Sequence, residues 1–230
     1  MDTHLVVSLG ARRARRRAFL ALVARRQRPG AGSRLAALEE QRSVMDWWTD
    51  ADRALASVPH AVVGAVATNA YAPERLTRDL DLAVLVGDAD RAGAALRAAG
   101  WTRQGRLGGV PGTSWSDAWG HELDLLELSE AWAPQAMAEA QENQVVGMPT
   151  VPRPYLVYMK LMASRTTDLG DVSRMLGRTT GEQTLEARAV VARWGSSADV
   201  ADFDQLVRLG QLERDTSGQE DEAGDPSCSG

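Results

Sequence analysis

Asp79-Leu80-Asp81-Leu82-Ala83-Val84-Leu85-Val86 decides the fold class, because this stretch places two carboxylates on an apolar strand that Gly87 and Asp88 close. Residues two apart on a strand share a face, so Asp79 and Asp81 project together while the leucines pack the other side. Two carboxylates at this spacing repel one another unless a cation lies between them, and their oxygens suit Mg²⁺. The alternative interpretation is a solvated strand edge with two ordinary acids.

The pattern on both sides of this strand predicts an α+β domain over residues 45–150, a small mixed sheet with flanking helices. The elements expected there are helices at 45–58, 65–71 and 89–99, strands at 61–63 and 121–128, and a Gly-rich hairpin or mobile loop at 105–112. After Pro152 the pattern predicts a C-terminal helical region, residues 151–213, with four candidate helices at 155–163, 168–176, 181–194 and 198–212. Residues 214–230 lack large apolar side chains and predict a disordered acidic tail.

Composition excludes several classes of protein. The apolar fraction of 44% and charged fraction of 25% are those of an ordinary globular chain. No apolar stretch is long enough to span a bilayer, so we expect no membrane association. A single cysteine, Cys228, cannot form a disulfide framework, which favours a cytoplasmic setting.

The first 44 residues differ in charge from the rest. They carry ten arginines against three acids, whereas the whole chain has a net charge of −5. Such a basic segment could be an arm that binds nucleic acid or a membrane surface. The interpretation we prefer is that residues 1–44 are disordered or a mis-assigned start, with Met45 opening the first well-patterned segment.

The order of polar and apolar residues around the two acids distinguishes three enzyme classes. In haloacid-dehalogenase-like phosphatases and many glycosyltransferases the apolar strand precedes the acids, whereas here Arg75, Thr77 and other polar residues come first. Acids that open a strand resemble the polymerase-beta-like nucleotidyltransferase superfamily. The resemblance runs over residues 58–178 and is nearest to the bacterial branch of AbiEii-like toxins. The residues that carry it are Val62, Val63, Gly64, Ala65, Ala67, Tyr71, Arg75, Thr77, Asp79, Asp81 and Asp124.

This resemblance implies a nucleotidyltransferase-type fold and transfer of a nucleoside monophosphate from an NTP to an acceptor hydroxyl. Asp79 and Asp81 would hold Mg²⁺, and Asp124 would complete a second metal position and help to deprotonate the acceptor. Gly64, Ala65, Arg75 and Thr77 would lie at the nucleotide. The acceptor could be a tRNA, a protein or a small molecule, and the chain could be the toxin of a toxin–antitoxin pair, with an antitoxin as its partner.

Lys160 is the only lysine in the chain, although arginine is abundant. Lysine offers a compact, mobile charge that suits a phosphate oxygen, but one surface lysine could also survive by chance. Lys160, Arg165, Asp168 and Asp171 match, in order, a helical motif of the AbiEii-like proteins. The resemblance implies that Lys160, and less clearly Asp168, contacts the nucleotide. Asp168 could equally be a first-turn acid that interacts with the helix dipole.

Ala65 departs from the resembling family, where this position is usually Gly or Ser. Alanine lacks the serine hydroxyl donor, so a catalytically silent nucleotide-binding or protein-interaction module is the main rival to an enzyme. A phosphatase or a glycosyltransferase is the second rival. His60 and His121 have no partner at zinc-ligand spacing and are interpreted as structural. Trp115 and Trp119 could stack on a base, although core packing is the more usual role.

Overall fold

The computed structural model describes residues 9–26, 45–72 and 79–215. In chain order they form α1 (Leu9–Arg26), α2 (Met45–Ala54), β1 (Ala61–Val62), α3 (Gly64–Asn69), β2 (Leu80–Leu85), α4 (Ala89–Ala98), β3 (Thr102–Arg106), β4 (Gly112–Ser116), β5 (Glu122–Leu128), α5 (Ala133–Glu142), α6 (Arg153–Ala163), α7 (Thr166–Leu176), α8 (Gly181–Trp194) and α9 (Ser197–Asp215). These elements fall into two compact units, which divide between Leu156 and Val157. The first contains α2 to α5 and the sheet, and the second contains α1, α7, α8, α9 and most of α6.

The α+β class expected from the sequence is confirmed, since the first unit holds one mixed five-stranded sheet with flanking helices and a helical region follows it. The strand order is β1-β2-β5-β4-β3. Strand β2 is parallel to β5, whereas the other neighbouring pairs are antiparallel. The Gly-rich stretch forms the β3–β4 hairpin. Strand β5 therefore lies between β2 on one side and β4 on the other.

One face of the sheet is apolar and buried. On this face Leu80 and Leu82 of β2 lie opposite Leu123 and Leu125 of β5, next to Val84, and all five are almost fully buried. Strand β4 adds Trp115. Helix α4 approaches the Trp115 ring through a glycine, Gly93, whose hypothetical Cβ would lie 3.4 Å from the indole. Burial of this face drives the sheet to form.

The outer edge of β1 is covered by a later segment of the chain. The amide of Val62 donates to the carbonyl of Pro149 at 2.7 Å, and the amide of Val151 donates to the carbonyl of Val62 at 3.0 Å. Covering an edge strand in this way satisfies its backbone groups and blocks unwanted pairing. These hydrogen bonds also hold β1 in place immediately before the turn at Gly64.

The second unit is helical, and α1 belongs to it. Helices α7 and α9 cross closely at Gly177 and Gly210, where a Cβ on Gly177 would lie 2.3 Å from the carbonyl oxygen of Gly210. Arg16 of α1 is fully buried and binds Asp199 and Asp202 of α9. The prediction that residues 1–44 are disordered therefore differs from the structure over 9–26. The physical reason is that acids far along the chain neutralise an arginine of the basic segment.

Element boundaries agree with the sequence patterns to within a few residues, except at α2, which ends at Ala54 instead of Val58. Helix α5 had no counterpart among the sequence-based expectations. Arg75 and Thr77, and the tail from residue 216 onwards, lie outside the described residues. Among the helices that the structure does describe, none is both long enough and apolar enough to cross a membrane.

Candidate active site

The second face of the sheet carries carboxylates from two neighbouring parallel strands. Asp81 of β2 lies directly opposite Asp124 of β5 in the strand register. Asp79 comes two residues before Asp81, and Glu122 comes two residues before Asp124, so all four side chains share this face. Because neighbouring strands are about 4.8 Å apart, the Asp81 and Asp124 carboxylates are close neighbours. This end of the face is therefore acidic, whereas Leu80, Leu82, Leu123 and Leu125 lie on the opposite face.

Asp124 shows the electrostatic consequence of this clustering. Burial raises its pKa to about 6, and the charges of Asp81, Asp79 and Glu122 add to the effect. Asp124 has no salt bridge to any residue in the described part of the chain. A carboxyl group with this pKa exchanges a proton near neutral pH, and its ionised form gains from any cation that binds beside it.

Gly64 makes room for Asp81. It has a φ of +63°, and a Cβ at this position would lie 1.7 Å from Oδ2 of Asp81. Two hydrogen bonds hold the turn: the amide of Val63 donates to the carbonyl of Asp81 at 2.9 Å, and Thr68 Oγ1 donates to the carbonyl of Gly64 at 2.7 Å. Any residue other than glycine would strain the backbone and displace the Asp81 carboxylate. The resemblance implies that Gly64 lies at the nucleotide. The structure gives a further reason for a glycine at this position, which is the close approach of the Asp81 carboxylate.

These donors fit a hard divalent cation. Mg²⁺ usually takes one or two protein carboxylates and completes its shell with water and substrate phosphates, so it does not need a closed protein cage. Within the described residues, no three His, Cys, Asp or Glu side chains already stand together in a ligating arrangement. The carboxylates of Asp79, Asp81 and Asp124 therefore do not form a closed metal-binding cage in this structure.

Hydroxyl and amide groups continue the polar face away from Asp124. Ser114 of β4 lies opposite Asp124, and Ser116 lies opposite Glu122. Gln104 of β3 donates its amide to Ser116 Oγ at 2.6 Å. A stripe of neutral hydrogen-bonding groups therefore runs from the carboxylates to the edge strand of the sheet.

The second unit contains a separate ionic cluster around Lys160. Its side chain is only 7% exposed, and Nζ lies 2.8 Å from Oδ2 of Asp171 and 3.4 Å from Oδ1 of Asp168. Arg165 also binds Asp168, at 2.6 Å, and Arg174 binds Asp171. The structure thus brings together the four residues that the sequence motif singled out. Their two aspartates are already neutralised by three cationic side chains.

The remaining candidate residues separate into core and surface. Trp115 is buried, with its indole N–H donating to Thr113 Oγ1 at 2.8 Å, whereas Trp119 is 81% exposed. His60 and His121 each bind a nearby aspartate, Asp52 and Asp117. Ala65 is half-buried in the first turn of α3.

Sequence reasoning missed Glu122 as a fourth acid on the carboxylate face. The spacing Glu122-Leu123-Asp124 carries the same alternation as Asp79-Leu80-Asp81, which is the signal that could have identified it.

No protein-family model matches this sequence, and no curated protein matches it. Among solved structures, the chain resembles JHP933 from Helicobacter pylori, with 14% identity, coverage of 81% of this chain and 97% of that one, and a TM-score of 0.44. A second H. pylori protein, provisionally assigned as a nucleotidyltransferase, gives 12% identity, 80% and 99% coverage, and a TM-score of 0.42. Terminal uridylyl transferase 4 from Trypanosoma brucei with bound GTP gives 12% identity, coverage of 93% of this chain and 74% of that one, and a TM-score of 0.34. Similarity this distant carries no argument about residues or activity.

Proposed function

We propose that this chain is a Mg²⁺-dependent nucleotidyltransferase that moves a nucleoside monophosphate from an NTP to an acceptor hydroxyl. The observation that carries the proposal is the register of β2 and β5, which sets Asp81 opposite Asp124 with Asp79 on the same face. Three carboxylates from adjacent parallel strands can hold a cation on one side and leave the other side open to phosphates. The raised pKa of Asp124 is the second support.

In this reaction the acceptor oxygen forms a bond to the α-phosphorus, and the bond from that phosphorus to pyrophosphate breaks. The hydroxyl proton passes to Asp124, the carboxylate that lies opposite Asp81 in the strand register. Asp79 and Asp81 hold the cation, and Gly64 keeps the Asp81 carboxylate in place. Mg²⁺, as one ion or as the two that the resemblance implies, supplies charge neutralisation to the triphosphate and the leaving group.

Lys160 remains the sequence-based candidate for a phosphate contact. Its ammonium group pairs with Asp168 and Asp171 inside the second unit. The nucleotide contacts of Lys160 and Asp168 follow only from the resemblance to AbiEii-like proteins. A tRNA, a protein or a small molecule could serve as acceptor, and a toxin–antitoxin role follows only from the resemblance to AbiEii-like toxins.

The second candidate function is a catalytically silent nucleotide-binding or protein-interaction module. Ala65 favours it, because a methyl group stands where the resembling enzymes usually carry Gly or a hydroxyl donor. Such a module would bind an NTP or a protein partner and would transfer nothing.

The deciding experiment is calorimetric titration of NTPs with Mg²⁺ into the full chain and into Asp81→Asn. Asparagine keeps the shape of aspartate but removes one charge beside Asp124, so we expect Mg²⁺-dependent affinity to fall by about tenfold or more. Circular dichroism checks the fold. Glu127→Gln is the matched control, since Glu127 lies on β5 but on the opposite face.

Failure of the well-folded wild-type chain to bind any NTP would overturn the nucleotidyltransferase and favour a silent protein-interaction module. Binding that survives in Asp81→Asn would remove the carboxylate site from the proposal. Binding lost in Asp81→Asn, together with transfer of a labelled monophosphate, would establish the enzyme, whereas binding without transfer would favour the silent module.

A further inference from the structure

Trp119 stands apart from the other tryptophans of this chain. Of the seven, five are buried, Trp194 is half-buried, and only Trp119, at 81% exposed, lies almost entirely in water. An indole buries a large apolar surface when it packs, so leaving one in solvent forgoes a substantial contribution to stability. Single exposed apolar residues are common, and exposure alone assigns no role. The setting of Trp119 supplies the further observations.

The turn that carries Trp119 is held rigidly. Asp117 Oδ1 accepts hydrogen bonds from the amides of Trp119 and His121, both at 2.9 Å, and Asp117 Oδ2 lies 2.6 Å from His121 Nδ1. Burial works against ionisation of Asp117, but these hydrogen bonds outweigh it and lower its pKa. The His121 ring stacks on buried Trp47, with centroids 4.9 Å apart and planes 2° from parallel. The indole is therefore presented on a fixed backbone, which reduces the entropy lost when it binds a partner.

The same turn lies at the edge of the sheet where the candidate active site opens. It joins β4 to β5 and leads into Glu122 and Asp124. Because β2 is parallel to β5, Asp79 at the start of β2 reaches the same edge. At about 3.3 Å per strand residue, the tip of the turn is roughly 10–15 Å from Asp124 along the strand. A substrate of ordinary size could touch both places.

The neighbours of Trp119 indicate the chemistry of its partner. Asp117, Ser116 and Glu122 are polar, and the other exposed large apolar side chains of the first unit, Val86, Val110 and Val145, lie elsewhere in the sequence. An apolar protein surface would need a wider apolar patch than one ring. A flat ring with polar edges fits better, since its face can stack on the indole while its edges meet hydroxyl and amide groups.

We propose that Trp119 is a stacking platform for a nucleobase of the acceptor, whose terminal hydroxyl lies at the Asp79, Asp81 and Asp124 carboxylates. The proposal rests on the nucleotidyltransferase function proposed above and names its acceptor class. The base could belong to a free nucleoside or to the 3′ end of a single-stranded RNA. Base–aromatic stacking tolerates any sequence, so Trp119 selects for an unpaired base rather than for a particular one.

Intrinsic fluorescence tests this stacking without requiring catalysis. Exposed Trp119 dominates the red edge of the emission, and we expect short single-stranded oligoadenylate with a free 3′-hydroxyl to quench it. Trp119→Phe removes that emission, and Trp194→Phe is the control that should keep the quenching. Adenosine alone and the same strand in a duplex are the other two arms. Quenching by adenosine alone identifies a nucleoside acceptor. Quenching by the single strand, without quenching by adenosine, identifies an RNA end.

Affinity for the quenching ligand, measured by calorimetry, should fall about tenfold in Trp119→Ala and less in Trp119→Phe, because phenylalanine retains a smaller ring. Binding of NTP with Mg²⁺ should stay unchanged in both variants. The inference is overturned if neither adenosine nor the strand quenches a wild-type chain that binds NTP, or if Trp119→Ala binds the ligand as tightly as wild type. Loss of NTP binding in wild type would instead overturn the proposed function.

Discussion

Asp124 in the sheet and Asp199 in the helical unit are both removed from bulk water, yet their surroundings move their pKa values in opposite directions. Asp124 shares its face with other acids, and burial together with their charges raises its pKa to about 6. Burial also disfavours the charge of Asp199, but hydrogen bonds from Arg13, Ser196 and Arg16 outweigh it and hold the pKa well below its usual range. Arginines of its own unit neutralise Asp199, whereas Asp124 has no salt bridge within the described residues.

The comparison separates an acid that arginines neutralise from an acid that lies among other acids. Around Asp199, Arg16 is fully buried and also reaches Asp202, Ser164 and the carbonyl of Leu161. All three nitrogens of that guanidinium donate to an acceptor within one unit. Around Asp124 the chain provides further acids and a glycine that keeps them close. Like charges that are held close together lower the free energy of unfolding, and such a loss of stability is frequent at active sites.

The largest effect we expect is that of Arg16→Met. Methionine fills a similar volume but leaves Asp202, and in part Asp199, buried without their cation. Breaking a buried pair in this way costs about 3–5 kcal/mol, so the free energy of unfolding in urea should fall by that amount. Arg17→Met is the matched control, because Arg17 is the next residue of α1 and is exposed. A loss below about 0.5 kcal/mol, the range of ordinary surface changes, would show that α1 does not depend on this cluster.

The next largest effect is that of Gly64→Ala. A methyl group would meet Asp81 Oδ2 at 1.7 Å and would also force a side chain onto a φ of +63°. Strain and displacement together should cost about 2–4 kcal/mol of unfolding free energy and abolish Mg²⁺-dependent NTP binding. Gly100→Ala isolates the backbone part, since Gly100 has a φ of +91° and open space around it. Equal losses of stability in the two variants, with NTP binding intact, would refute the close approach of Gly64 to Asp81.

The smallest effect has the opposite sign. The folded pKa of Asp124 is above its usual value near 3.9, so ionisation of this group destabilises the folded state. That cost is absent below about pH 4, grows as the pH rises towards 6, and persists above it. Asp124→Asn should therefore raise the free energy of unfolding at pH 8 by on the order of 1–2 kcal/mol, a figure reduced for solvent screening, while lowering activity. Thermal unfolding at pH 8 and pH 4 measures it.

A variant that gains equal stability at both pH values would contradict the electrostatic origin of the effect. A variant that loses stability at pH 8 would show that Asp124 behaves like Asp199, as a structural acid with a cation partner.

Sequence periodicity predicted those parts of the fold that depend on neighbouring residues. Alternation from Asp79 to Val86 gave the central strand, and spacing of apolar residues gave helices α6 to α9 within a few residues. Helix α5 was missed, and the Gly-rich stretch was left between a hairpin and a loop, because small residues such as Ala, Gly and Ser carry little periodic signal. Glu122 was overlooked although a local pattern was present, because the Glu122-Leu123-Asp124 alternation already placed it on the face of Asp124.

By itself the sequence determined that Asp79 and Asp81 share a face, because alternation along a strand is a local property of the backbone. It also identified Asp124 as the candidate third acid, by resemblance. Only the tertiary structure decided that β5 lies parallel to β2 with Asp124 opposite Asp81, and that Gly64 approaches Asp81 too closely for any side chain. It alone paired Arg16 with Asp199, 183 residues away along the chain. Strand register, close approach and long-range ion pairs depend on how distant segments pack, and no local pattern encodes them.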